Sequence, residues 1–245
     1  MKKMAKLGKV SVILPAYNEE KALAKVVREV IKVMRGSKFK FEVVITDDGS
    51  KDRTFEIAKN LAREFREVKA FTHGVNKGKV AAVKTCVSKA SGEVIVIMDA
   101  DYTYPARFIP EMLEKVSEGY DMVLGNRFGL DTSMSKTHRL GNDFFSAVIS
   151  LVSGVEIRDV QTGFRAFRKE MFQEMELTAK RFEYETEQTI KAAKRGYRIC
   201  EIPIEYRERL GESKLNGFSD GLKIMIAIIK FALLETLRGG AGRKR

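Results

Sequence analysis

Asp99-Ala100-Asp101 closes an apolar run, Val94-Ile95-Val96-Ile97-Met98, and is the stretch of this 245-residue sequence best suited to chemistry. The run reads as a buried strand. Two carboxylates one residue apart at its carboxyl end repel each other, and a hard cation relieves that repulsion. Mg²⁺ is typically held by one or two carboxylates together with substrate phosphates. A solvated turn would use the same residue types, but the acidic pair does not stand alone. Phe41-Glu42-Val43-Val44-Ile45-Thr46 runs into Asp47-Asp48-Gly49-Ser50, and Val10-Ser11-Val12-Ile13-Leu14 runs into Pro15-Ala16-Tyr17-Asn18-Glu19. Ligands of open α/β sheets bind outside the carboxyl ends of the strands. Three such ends therefore predict a crevice for a nucleotide and a metal.

The elements that must hold these loops are legible in the apolar spacing. Leu23, Val26, Val27, Val30, Ile31 and Met34 follow the i, i+3, i+4 rule of a helix, as do Phe55, Ala58, Leu61, Ala62 and Phe65. Val68 to Phe71 reads as a short strand, 78–90 as a helix, Phe108 to Val116 as a helical face and Asp121 to Gly125 as a strand. Such alternation predicts a mostly parallel, Rossmann-like sheet flanked by helices. The second half is less regular. Residues 128–139 read as a polar loop and Phe144 to Val152 as an apolar helix. Gln161 to Phe167 reads as a strand, Glu183 to Arg195 as a helix ended by Gly196, and Ile199 to Tyr206 as an edge strand interrupted by Pro203. From Leu222 the chain is nearly all apolar to Leu237, broken by Lys223 and Lys230 and followed by Arg238, Arg243, Lys244 and Arg245. That run is short for a membrane span and suits an amphipathic helix lying in the headgroup region. A core or dimer helix is the alternative. The division expected is an α/β domain over 1–216 and an interfacial helix with a basic tail over 217–245.

The net charge of +12 implies an anionic partner. Because the clearest loop motifs are acidic, nucleic acid is not the expected partner. Cys86 and Cys200 lie in apolar stretches and have neither zinc nor disulfide spacing. The basic start carries no apolar segment of signal-peptide type before Ser11, which places the expected protein in the cytoplasm or at the cytoplasmic face of the membrane.

The order and spacing of the motifs resemble family 2 glycosyltransferases of GT-A fold, and among them the dolichyl- or polyprenyl-phosphate hexose synthases. The pieces are Val12 to Glu19, Asp47-Asp48-Gly49-Ser50, Asn76-Lys77-Gly78-Lys79, Asp99-Ala100-Asp101, Gly125-Asn126-Arg127-Phe128, Asp159 to Arg165 and Gly211-Glu212-Ser213-Lys214. The resemblance implies that Pro15, Tyr17, Glu19, Asp47, Lys79 and Asp99 bind the nucleotide. It implies that Asp99 and Asp101 hold Mg²⁺ or Mn²⁺ across the diphosphate, with Asp101 and Arg127 catalytic. Ser50 is a candidate cap for a helix beginning near Asp52. One departure stands out. Dolichol-phosphate mannose synthases commonly carry a glutamine two residues past the second aspartate, where this sequence has Thr103, so glucose or another hexose competes with mannose as the sugar.

The implied reaction is inverting transfer of a hexose from GDP-mannose or UDP-glucose to a polyprenyl or dolichyl phosphate by a peripheral membrane enzyme. A phosphomonoester has its second pKa near ~6 and is already a nucleophile at neutral pH. It calls for cation clamps rather than a general base. Arg127, Arg139, Arg207 and Lys214 are the candidates, arginine being favoured for its bidentate fork. Arg165 is either a further clamp or a structural ion-pair partner. Two other readings remain: transfer to a sugar hydroxyl with a carboxylate base such as Asp159, and a nucleotide-binding module without catalysis.

Overall fold

Period-2 alternation within near-continuous apolar strands requires a sheet covered on both faces. The computed structural model describes residues 7–130, 136–179, 183–211, 225–226, 228–231 and 233–235, the side chains of 136–140 and 153 excepted. Among the described residues seven strands form one sheet: β1 (Val10–Ala16), β2 (Phe41–Asp47), β3 (Val68–Thr72), β4 (Val94–Ile97), β5 (Met122–Asn126), β6 (Arg165–Arg168) and β7 (Ile199–Pro203). Their order is β3-β2-β1-β4-β6-β5-β7. Val12, Leu14, Val43, Ile45, Val94 and Val96 enter one core layer, while Ile13, Val44, Ile95 and Ile97 enter the other.

Helices α1 (Leu23–Arg35) and α2 (Thr54–Glu64) contribute to the first layer, and α3 (Lys79–Lys89) to the second. Helix α4 (Ile109–Ser117) belongs to the first, whereas α5 (Lys136–Ser153), α6 (Lys169–Glu174) and α7 (Tyr184–Lys194) belong to the second. The six apolar positions read as the buried stripe of the first helix are buried in α1. Full burial of each such side chain contributes roughly 1.5–3 kcal/mol.

Strands β1 to β4 pair in parallel. The chain winds outward from β1 to β3 and then crosses back to lay β4 on the other side of β1, so a switch point falls between β1 and β4. Strand β6 is the antiparallel member of the mostly parallel sheet. It runs antiparallel to β4 and β5, with Ile97 opposite Arg165. It also begins later than Gln161, because the carbonyls of Val160 and Thr162 turn to the Arg165 guanidinium instead of a neighbouring strand. Its antiparallel course delivers the 159–164 loop to the carboxyl edge of β4.

Residues 225–226, 228–231 and 233–235 are helical. Ile228 and Phe231 are buried in the second core layer, and Glu235 pairs with Arg195, just past α7, at 3.0 Å. The opposite side of this helix exposes Ile226, Ile229 and Leu233, and α5 exposes Phe144 and Leu151. Among the described residues no helix is long and apolar enough to cross a membrane.

Candidate active site

The loop after β1 is tied to the loop after β2 by backbone donors. Asn18 N donates to Ser50 Oγ at 2.9 Å, Glu19 N to Thr54 Oγ1 at 2.7 Å and Glu20 N to Asp52 Oδ2 at 3.2 Å. Ser50 therefore does not cap α2; the helix starts at Thr54, whose N–H donates to Asp52 Oδ1 at 3.0 Å. Asp47 accepts the Thr72 hydroxyl at 2.9 Å. Asp48 accepts the N–H groups of Lys77 and Gly78 at 2.9 and 2.7 Å and faces His73 Nδ1 at 2.7 Å. These bonds hold the turn that launches α3. Gly49, at φ +70°, lies so close to the Val75 backbone that a Cβ would collide with it.

Lys79, the first residue of α3, places its ammonium 2.8 Å from Asp99 Oδ1 and 2.9 Å from Glu185 Oε1 of α7. Burial works against the charges of Asp99 and Lys79, but their mutual attraction outweighs it. The Asp99 carboxyl is held below, and the Lys79 ammonium well above, its ordinary value. Gly163 lies against Asp99, and any side chain there would strike the carboxylate. Gly163 N donates to the buried Tyr104 hydroxyl at 2.8 Å.

Asp101 is almost wholly enclosed. Its Oδ1 accepts Thr103 N at 3.1 Å and Thr103 Oγ1 at 2.6 Å, so the residue in the departing position serves to fix the second aspartate. Its Oδ2 accepts Arg209 Nη1 at 2.9 Å, and Arg209 Nη2 reaches Glu19 Oε1 at 2.5 Å. Burial, and then the Asp99 charge, push the Asp101 carboxyl up. The two aspartates thus carry opposite shifts, as expected of like charges sharing one cavity.

The structure brings Glu19, Asp47, Lys79, Asp99 and Asp101 to one edge and distributes the predicted clamps differently. Arg127 is buried and grips Asp159 through Nε and Nη2, both at 2.7 Å, while its backbone N–H meets the same carboxylate at 2.9 Å. Its guanidinium lies 5.2 Å from the Tyr206 ring centroid, and its charge also bears on Asp99. Arg207 turns outward to Glu29 at 2.8 Å and stacks over Tyr102. Arg165 is structural. Fully buried, it donates to the carbonyls of Val160, Thr162 and Glu185 and to Gln188 and Thr189. The side chain of Arg139, in α5, and all of Lys214 lie outside the described residues.

Arg209 and Glu185 are the site residues that sequence reasoning missed. Arg207 and Arg209 stand two apart in one polar segment, and no local signal distinguishes them. Their sorting follows from the bonds of Arg207 N to Thr103 O and of Leu210 N to Asp101 O. These lay residues 207–210 along the Asp101 loop. Glu185 sits in a helix whose sequence looks polar and solvated, yet α7 is buried along nearly its whole length.

Interleaved carboxylates and cationic side chains thus lie beyond the carboxyl ends of the strands at a switch point of the sheet, where open α/β sheets bind their ligands. Residues 11–176 match Glycosyl transferase family 2, and the chain belongs to that family. It is similar to a dolichyl-phosphate hexose transferase of Haloferax volcanii, 37% identical over 231 residues, which cover 94% of this chain and 96% of that one. It is also similar to a dolichol-phosphate mannosyltransferase of Pyrococcus furiosus, 33% identical over 215 residues, with 85% of this chain covered. The match spans 60% of that longer relative. Among solved structures, glucosyl-3-phosphoglycerate synthase from Mycobacterium tuberculosis in complex with Mn²⁺, UDP and glucosyl-3-phosphoglycerate superposes with a TM-score of 0.72 at 16% identity. That match covers 92% of this chain and 80% of that one, and it carries the GT-A fold.

Proposed function

We propose that this enzyme transfers a hexose, with inversion, from a nucleotide sugar to a polyprenyl phosphate. The observation that carries the reading is the pairing of five acidic side chains at this edge with cations. Asp99 and Glu185 share Lys79, Asp101 and Glu19 share Arg209, and Asp159 is clasped by Arg127. A carboxylate locked to a guanidinium is a poor base for a sugar hydroxyl, because protonation breaks the ion pair. Asp159, the candidate base of the competing reading, is the most completely enclosed of the five. A lipid phosphomonoester brings its own charge and needs no base. The relative at 37% identity, named for dolichyl-phosphate hexose transfer, supports the same acceptor.

Within this reading Pro15, Tyr17, Glu19 and Asp47 border the base and ribose, and Lys79 at the start of α3 faces the diphosphate. Asp99 and Asp101 fit a divalent ion. Both carboxylates already draw cationic side chains, and two carboxylates leave positions for phosphate oxygens and water, as Mg²⁺ prefers. When bound, such an ion supplies Lewis-acid stabilisation of the departing nucleoside diphosphate. The residues themselves position the reactants: Gly163 gives Asp99 room, Thr103 fixes Asp101, and Arg127 keeps Asp159 from drawing a proton. Arg127, Arg139, Arg207 and Lys214 are the candidates for the acceptor phosphate. The exposed Phe144, Leu151, Ile226, Ile229 and Leu233 favour peripheral attachment to the cytoplasmic face of a membrane, where a lipid acceptor resides.

The test is an assay of the purified full chain with GDP-mannose and UDP-glucose, each offered a polyprenyl phosphate and a soluble glycan acceptor, with EDTA as control. Glycolipid formed only with the lipid phosphate supports the proposal; transfer to the glycan alone overturns it. Flotation with anionic vesicles tests the attachment, which fails if the protein stays at the bottom of the gradient.

A further inference from the structure

Asp101 has a saturated oxygen and an exchangeable one. Oδ1 is held by the backbone and hydroxyl of Thr103, its own loop neighbour, and cannot be released without unwinding the turn. Oδ2 is held by Arg209, from the segment after β7. The Arg209 side chain is 27% exposed, against 5% for Asp101. Its segment follows β7 and contains Gly211 at φ +123°, so its guanidinium can leave without disturbing the sheet. Lys79 is different: it is clamped between Asp99 and a buried Glu185 and rides on the first turn of a helix packed in the core.

We infer that Arg209 is a built-in counter-ion of the acidic loop, bridging Asp101 to Glu19 when no metal is bound, and that a divalent ion enters the site by displacing it. The inference rests on the reading of Asp99 and Asp101 as metal ligands. One oxygen, Asp101 Oδ2, is the target of both cations, and a guanidinium and a divalent ion repel each other at that distance. One exchange therefore alters two loops. As Arg209 leaves Asp101 it also leaves Glu19, in the loop bordering the nucleotide. Metal alone has to compete with an intramolecular cation already in place. Metal carried with a nucleoside diphosphate also brings negative charge, to which the freed guanidinium can turn. The geometry assigns Arg209 a positioning role that couples metal capture to nucleotide capture.

The experiment is titration of Mn²⁺ into the full chain, followed by the electron paramagnetic resonance of the free ion, alone and with GDP or UDP. The wild-type protein is expected to bind Mn²⁺ about 10-fold more tightly when the matching nucleotide is present, within the usual range of coupling between sites. Arg209→Gln should tighten binding of Mn²⁺ alone by about 5-fold or more and shrink that coupling. Arg209→Lys, which keeps the charge, should stay near wild type. An Arg209→Gln protein that binds Mn²⁺ alone no more tightly than wild type overturns the inference. Wild-type protein that binds no Mn²⁺ even with either nucleotide overturns instead the assignment of Asp99 and Asp101 as ligands. Should the glutamine variant not fold, a crystal structure of the wild-type protein with Mg²⁺ and nucleotide decides. Arg209 is expected beyond hydrogen-bond reach of Asp101 there, and a retained contact overturns the exchange.

Discussion

The two ends of the sheet each bury a carboxylate among cations, and they do opposite things with it. At the amino end Glu42, in β2, accepts Ser11 Oγ at 2.7 Å, Ser91 N at 2.6 Å and Lys9 and Lys69 each at 2.8 Å. These partners come from three separate segments. Burial works to raise the Glu42 carboxyl, but Lys69, Lys9, Ser91 and Ser11 together hold it far below the ordinary glutamate value. At the carboxyl end Asp101 is pushed up instead, by burial and by Asp99, and its one cationic partner among the described residues is an arginine shared with Glu19. A saturated carboxylate serves stability. An undercompensated one beside a second like charge is poised to take a cation.

Substitutions at the two ends separate the two kinds of carboxylate. Asp101→Asn carries the largest expected effect: transfer should fall at least ~10²-fold in kcat/KM, since Lewis-acid assistance contributes several kcal/mol. Its thermal unfolding, followed by circular dichroism, should stay level or rise, because the like-charge repulsion is relieved. Near-full turnover would mean that the carboxyl end is as structural as the amino end. Arg127→Ala should cost about 3–5 kcal/mol of stability in urea titrations, because it strands the buried Asp159 charge. A fully stable variant would show that Asp159 is easily protonated or rehydrated and would revive it as a base.

Glu42→Gln should cost less, about 1–3 kcal/mol, since both lysines keep access to water. Its donor affinity by calorimetry should be unchanged; a loss would mean that the amino end communicates with the crevice. Its pH dependence has a definite sign. A carboxyl held low in the folded state adds stability above its unfolded pKa of about 4.3, and this is lost as pH falls below that value. The stability gap between wild type and Glu42→Gln should therefore be full at pH 7 and narrow progressively below about pH 4.3. Arg207→Ala carries the smallest expected effect, under about 1 kcal/mol, because its pair with Glu29 is partly exposed. A large loss of acceptor use there, with donor affinity retained, would single out Arg207 as a phosphate clamp despite its pair with Glu29.

Much of this was legible in the residues themselves. Strands β1, β2 and β4 announce themselves because burial on both faces demands unbroken apolar runs, and the acidic or polar residues that follow can only lie where the chain leaves the sheet. Helix α1 follows from a spacing that only one helical face satisfies. The acidic loops, and their order along the chain, were therefore determined by the sequence. The tertiary structure alone decided the partners. Whether Arg207 or Arg209 meets Asp101 depends on how the segment after β7 aligns with the Asp101 loop. Whether Arg127 is a clamp or a clasp depends on Asp159, 32 residues away. Polar residues carry no periodic signal, and an ion pair is a long-range contact whose two halves look alike until the fold brings one of several candidates within 3 Å. The antiparallel insertion of β6 belongs to the same class, for strand direction is set by the connections and by Arg165 drawing in the carbonyls before it, not by the apolar pattern of Arg165–Arg168.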